Sequence, residues 1–498
     1  MNVNPITRLD YPDPDVIRVE DTYYMVSTTM HFMPGCEILQ SFDLVHWEHV
    51  TYVYETLDHT DAQQLKSGQN IYGQGMWAAS LRYHEGRFYI CFVANDTRKT
   101  YLYTSEKIDG PWKKQLIEGF YHDGSLLFDE DGRSYIVYGN DEIWITELNE
   151  DLTAPKKDGL HRLLVSDHKN PKLGYEGSHI QKINGYYYIF LIHSLRDRWM
   201  RTEACFYSDS LEGEFTGGDV LCDDRGYCGQ GVAQGGIVDT PDGKWYAMLF
   251  QDSGAVGRIP ILLPVTWKDH FPVFGQNGHV PEEIEVHSTR PGYIYQPLVG
   301  SDDFCNGLLP RWQFNHDPDP RYYHLDALQG TYTITTREVC TELTQAVNTL
   351  TQRMSYPSCA AEVTVDASAL KEGDVAGLCA LQGCYAAVGI TKHHGKYEVL
   401  MLDKKEDGIL DMTEGTVVES HQMDFRLEAD FCNMKDEARC YYRVNKGDWL
   451  PIGTVHKLYF KLDHFTGCRF GLFCYAAEET GGSACFRDFK YYDVDEIS

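Results

Sequence analysis

Three acidic residues, Asp13, Asp123 and Glu176, recur at corresponding points of a repeating sequence. Cleavage of a glycosidic bond requires two carboxyl groups with divided roles. One protonates the leaving oxygen, and the other activates a water or attacks directly. A third carboxylate beside the acid raises its pKa by like-charge repulsion and keeps it protonated at neutral pH. Arg258, in the segment GAVGRIPILL, is a candidate cation to hold that third group in place while it stays ionised. Trp77 offers a flat face for the apolar side of a sugar. Each residue also has a plain explanation. Asp13 in YPDPD and Asp123 in YHDGS suit turns, Glu176 near Gly174 and Gly177 suits a solvated loop, and Trp77 suits packing.

What decides between these readings is a repeat. An apolar strand, a turn of Gly, Asp or Asn and an aromatic-rich strand recur five times. The copies are DVIRVEDTYYMVS (15–27), SLRYHEGRFYICF (80–92), SLLFDEDGRSYIVY (125–138), HIQKINGYYYIFL (179–191) and GIVDTPDGKWYAML (236–249). The matching rings are Tyr23, Phe88, Tyr135, Tyr187 and Trp245. Weaker strands follow several copies, as in EILQSFDLVHWEHV (37–50), YLYTSEKIDGPWKKQ (101–115) and CFYSDSLEGEFTGG (205–218). Four strands per repeat with no helix between them predict an all-β fold, a five-bladed β-propeller. Ten to twelve positions before the aligned rings stand Asp13, Trp77, Asp123, Glu176 and Gln234. The first strand of each blade lines the central channel, so these five side chains converge on one end of it.

Bulk composition narrows the chemistry. The 498-residue chain carries a formal net charge of −30, which repels phosphate backbones and disfavours nucleic acid as a partner. A neutral oligosaccharide suits such a surface, and oligomer formation is compatible with it. No run approaches a membrane span, and the N-terminus MNVNPITRLDYPDPD shows no secretory signal. With 15 Cys lacking CxxC spacing, this predicts reduced thiols and a cytoplasmic enzyme. His179 and His193 lie in the fourth copy without metal-ligand spacing, and His393-His394 reads as an exposed turn. No G-x-S-x-G elbow or P-loop is present.

The segments NPI…YPDPDVIRVEDTYYMVSTT (4–29), PGCEILQSFDLVHWE (34–48), MWAASLRY (76–83), HDGSLLFDEDGRSYIVYGN (122–140), YEGSHIQKINGYYYIF (175–190) and GGIVDTPDGKWYAMLF (235–250) together resemble family 43 glycoside hydrolases. These are five-bladed-propeller β-xylosidases and α-L-arabinofuranosidases. The resemblance implies Asp13 as general base, Glu176 as general acid and Asp123 as the residue that tunes and orients the acid. It implies Arg258, Trp77 and Phe32 as sugar-pocket residues, with Arg258 near the third carboxylate. It also implies inversion at the anomeric carbon, with the two carboxyl groups roughly 6.5–9.5 Å apart. The expected reaction is release of xylose from the non-reducing end of xylo-oligosaccharides, with α-L-arabinofuranosidase or dual activity as the alternative. Two departures stand out. Ala78, Ala79 and Ser80 replace a common Ala-Pro-His, and Gln234 replaces a histidine that helps hold a calcium ion or water cluster in the channel. No cofactor is required, and a structural calcium near Gln234 is the one ion in question.

Near Ser301-Asp302-Asp303 the sequence changes character. DDFCNGLLPRWQFNHDPDPRYYHLDALQGTYTITT (302–336) resembles the start of the C-terminal β-sandwich of xylosidase-type relatives. AAEVTVDA (360–367), YEVLMLD (397–403) and RFGLFCYA (469–476) alternate like antiparallel strands. The expected division is a catalytic propeller at 1–298 and a lectin-like sandwich at 299–498. The sandwich serves as a buttress, or lends a loop such as AAEETGGSA (476–484) to close the pocket mouth.

Overall fold

The computed structural model describes residues 2–413 and 415–493, so the expected outer domain limits, 1 and 498, lie outside it. Five antiparallel sheets follow one another and form the five blades. Their inner strands are Asp15–Val19, Met76–His84, Ser125–Phe128, Glu176–Ile183 and, in blade five, Val232–Ala233 with Ile237–Asp239. Chemistry at the turns fixes the hairpin register. Glu85-Gly86 and Asn184-Gly185 each place two successive residues at positive φ, which matches the twist of a two-residue hairpin.

The repeated rings hold the blades to one another. Tyr23 packs with Val238 and Tyr246 of blade five, while Phe88 packs among blade-one residues. Tyr135 and Tyr187 share one cluster between blades three and four, and Trp245 lies against the blade-four strands. Burying each of the four buried rings stabilises the propeller by roughly 1.5–3 kcal/mol. The terminal strand Asn2–Val3 pairs with Glu283–Ile284 beyond blade five and brings the ends of the ring together.

The second unit is a sandwich of a nine-stranded and a seven-stranded sheet around its own apolar core. The two units share backbone. Phe32–Met33, in the first blade, pairs with Phe314–Asn315 at the end of the nine-stranded sheet. Asp10, fully buried, accepts from Arg258 N and from Gly467 N, each at 2.7 Å, and so ties blade five to the sandwich. All 15 cysteines are free thiols. Among the described residues no helix is long and apolar enough to cross a membrane.

Candidate active site

The channel residues owe their positions to one backbone feature repeated in every blade. Asp13, Ala78, Asp123, Gly177 and Gln234 all have positive φ, between 33° and 64°. At each, the chain turns sharply before its inner strand continues along the axis, and in blades two and four the strand register shifts there. The sequence register is thereby corrected by one residue in two blades, since the equivalents of Asp13 are Ala78 and Gly177. Trp77 and Glu176 precede the kink and leave it in a different direction. Asp13 and Asp123 are accordingly buried, at 3% and 6% exposure, whereas the Glu176 side chain is 19% exposed. Close packing favours glycine at Gly177, where a Cβ would stand 2.7 Å from Gln234 Cδ and 2.9 Å from Ile192 Cγ2.

Asp13 is gripped on both oxygens. Thr28 Oγ1 donates to Oδ2 at 2.6 Å, and Arg258 Nη1 donates to Oδ1 at 2.6 Å. Arg258 Nε reaches Asp252, which in turn receives Arg201 Nε at 2.6 Å. This corrects the expected place of Arg258: its ionic partners are Asp13 and Asp252, not Asp123. The reason is topological. Arg258 opens the third strand of blade five, where the ring closes on blade one, and its backbone carbonyl accepts from Tyr11 N.

The cation beside Asp123 is its own neighbour. His122 Nε2 lies 3.5 Å from Asp123 Oδ2 and 3.5 Å from Glu176 Oε2. Gly177 N donates to Asp123 Oδ2 at 2.9 Å, and Asn140 Nδ2 donates to Glu176 Oε2 at 2.7 Å. Burial, reinforced by the charges of Glu176 and Asp13, pushes Asp123 up to about 6 despite His122 and the Gly177 N–H. Burial also opposes ionisation of Glu176, but the His122 contact and the fields of Arg201 and Arg258 outweigh it and lower its pKa. His122 is carried up to about 9, because Asp123, Glu176 and Asp13 overcome its own burial. His122 is equidistant from both carboxyls, so the other donors and burial decide between them. The raised carboxyl is therefore Asp123, whereas the sequence reading placed the raised pKa on the acid, Glu176.

Beside Asp13 and Asp123, which form part of its wall, a small enclosed cavity is also lined by Asp15, Ser80, Ser178, His179 and Gln234. The Gln234 backbone donates to buried Glu203 at 2.7 Å. Asp15 Oδ2 already accepts from Leu81 N and from Arg82 Nη1, at 2.7 and 2.8 Å. Arg82 also bonds Ser125 and the carbonyls of Leu126 and Ile180, so one guanidinium links four blades at the axis. Calcium needs six to eight oxygen donors. Within this lining Asp15 is already paired with the fixed Arg82 cation, which opposes a second cation beside it.

Around the mouth, Trp77 meets the ring of Phe465 edge-on at 5.1 Å, and Phe465 lies 3.6 Å from the Arg258 guanidinium. Phe465 belongs to the sandwich, in the connection between strands Leu450–Lys457 and Arg469–Ala476. The expected closing loop, 476–484, instead folds back on its own domain, with Gly482 O accepting from Thr336 N and Thr480 O from Lys371. Gly467 makes the approach possible, since a Cβ there would stand 1.9 Å from Val256 O. Phe32 is 2% exposed and lies beneath the Arg469 guanidinium at 3.5 Å. Sequence reasoning missed His122, Asn140, Thr28, Asp252 and Phe465. Of these only His122 carried a local signal, as the residue preceding Asp123.

Comparison with known proteins agrees with this architecture. Residues 3–272 match the family model Glycosyl hydrolases family 43, and residues 301–492 match the Beta xylosidase C-terminal Concanavalin A-like domain. A beta-xylosidase of Formosa agariphila is 27% identical, over 99% of this chain and 89% of its own. A xylosidase/arabinosidase of Butyrivibrio fibrisolvens is 24% identical, over 99% of each chain. A solved Bacteroides eggerthii protein described as a bifunctional GH43-CE superposes with a TM-score of 0.92 at 42% identity, over the whole of this chain. This chain spans only 64% of that protein's length. With its propeller and its sandwich both matched, the chain belongs to glycoside hydrolase family 43 and is a glycosidase.

Proposed function

We propose that the protein is an inverting, exo-acting β-xylosidase that releases xylose from the non-reducing ends of short xylo-oligosaccharides, without a metal or organic cofactor. The observation that carries exo action is Phe465. A side chain from the second domain stands against Arg258 and Trp77 and walls the mouth on one side, which favours a chain end over a chain interior. In this reading Asp13, held by Thr28 and Arg258, takes a proton from the attacking water. Glu176, the more exposed carboxyl, gives a proton to the leaving oxygen. Asp123, linked to Gly177 N, fixes the backbone beside the acid. The names of the Formosa and Butyrivibrio relatives support a xylose glycone.

The Butyrivibrio name also pairs xylosidase with arabinosidase, and this supports α-L-arabinofuranosidase, alone or as a second activity, as the other reading. Parallel kinetics on 4-nitrophenyl β-xyloside and 4-nitrophenyl α-L-arabinofuranoside decide between them. The expected result is a higher kcat/KM on the xyloside, and a strong preference for the arabinofuranoside overturns the assignment. Asp13→Ala should lower turnover of the preferred substrate by roughly 10²–10⁴-fold. Wild-type turnover in that variant contradicts its role as base.

A further inference from the structure

His122 has no part in the two-carboxylate scheme, yet it is the group most closely engaged with it. Its Nε2 is buried and stands 3.5 Å from the carboxyls of both Asp123 and Glu176, with no closer hydrogen-bond partner among the described residues. The ring lies beside Trp77, with centroids 6.4 Å apart. Glu176 Oε2 therefore faces two donors, Asn140 Nδ2 and His122 Nε2, while Oε1 accepts no hydrogen bond among the described residues. One oxygen is held by the protein and the other is left to the substrate.

We propose that His122 is a positioning residue for the acid step, which bridges Glu176 to Asp123 and holds the proton that Glu176 delivers. This rests on the proposed role of Glu176 as the acid. The His122 Nε2 proton first passes to the Glu176 carboxylate, and as the glycosidic bond breaks that same proton goes from Glu176 to the leaving oxygen. The imidazole then regains a proton from solvent. Asp13 meanwhile takes one proton from the attacking water and releases it to solvent, so one water is consumed and two hydroxyl groups are formed.

The charged and titratable groups that face this unit come from four blades. Asp13, Asp123 and Glu176 act on His122, and Arg201 and Arg258 act on Glu176. In the free enzyme the cationic ring holds the proton beside an ionised Glu176. This resolves the conflict between a lowered acid pKa and the need for a proton at cleavage. The alkaline limit of activity then belongs to the His122–Glu176 pair and not to a lone glutamic acid.

The test compares His122→Leu and His122→Gln with wild type on two substrates that share the preferred glycone. One has a sugar leaving group and needs acid assistance, and the other has a dinitrophenyl group and does not. His122→Leu should lower kcat on the first by about 10²-fold or more and on the second by less than about five-fold. His122→Gln, which keeps a donor near the Nε2 position, should recover part of the loss. In both variants the alkaline limb of kcat/KM should move to lower pH. Equal losses on the two substrates with an unmoved alkaline limb would overturn the proposal and leave His122 a packing residue. Glu176→Gln is the control. If its loss does not depend on the leaving group, the acid assignment fails and the His122 proposal falls with it. If its loss does depend on the leaving group while the His122 variants show no such dependence, only the His122 proposal fails.

Discussion

The Arg258 guanidinium lies 3.6 Å from the centre of the Phe465 ring while its Nη1 donates to Asp13 Oδ1 at 2.6 Å. One arginine from blade five thus joins a buried carboxylate of the propeller to an aromatic ring of the sandwich. The second domain contributes a side chain to the candidate site.

Phe465→Leu keeps the apolar volume and loses the ring face over the cation. Such a contact is worth about 0.5–2 kcal/mol. The variant should therefore fold and lose roughly ten-fold in kcat/KM, expressed mainly in KM. Steady-state kinetics on xylo-oligosaccharides of increasing length check this. Unchanged kinetics would place the ring outside the substrate's reach.

The pH dependence of stability follows from Asp123. Its pKa in the fold is about 6, against an ordinary 3.8, mainly because it is buried. The folded state therefore binds more protons than the unfolded state between those values, and stability falls as pH rises from about 4 to about 6. The whole effect is on the order of 3 kcal/mol. Asp123→Asn, which stays neutral, should remove this dependence and be the more stable form near pH 7. Melting temperatures of both proteins from pH 4 to pH 8 test the sign. A wild-type contribution that grows with pH across this window contradicts it.

Arg82 places a permanent positive charge beside Asp15, a carboxylate of the cavity that Gln234 also lines. Prolonged treatment with EDTA should leave both the melting temperature and the rate unchanged. Arg82→Leu strands a buried carboxylate and should cost about 3–5 kcal/mol of stability. A melting temperature lowered by EDTA and restored by calcium would show that the channel holds a metal after all.

Much of this was legible in the sequence, and the reasons are specific. The hairpin repeat is local, with turns such as Asn184-Gly185 and rings such as Tyr135 and Tyr187 spaced by strand geometry, so the blades and the convergence of Asp13, Asp123 and Glu176 followed from register alone. The one-residue offset at Glu176 did not, because the left-handed turn at Gly177 is a backbone event that strand alternation does not reveal. Arg258 was found but given the wrong partner, since ring closure brings blade five against Asp13 across 245 residues. Phe465 left no signal at all. Its role depends on the sandwich docking through Asp10 and Gly467, which no periodicity in either domain encodes.

In the proposed mechanism Asp13 activates water on one face of the sugar while Glu176 protonates the leaving oxygen on the other. Proton NMR of the first product formed from xylobiose tests it most directly, before mutarotation mixes the anomers. The expected first product from the β-linked substrate is α-xylose. Initial release of β-xylose would mean a covalent intermediate and retention, and would contradict the assignment of Asp13 as a base.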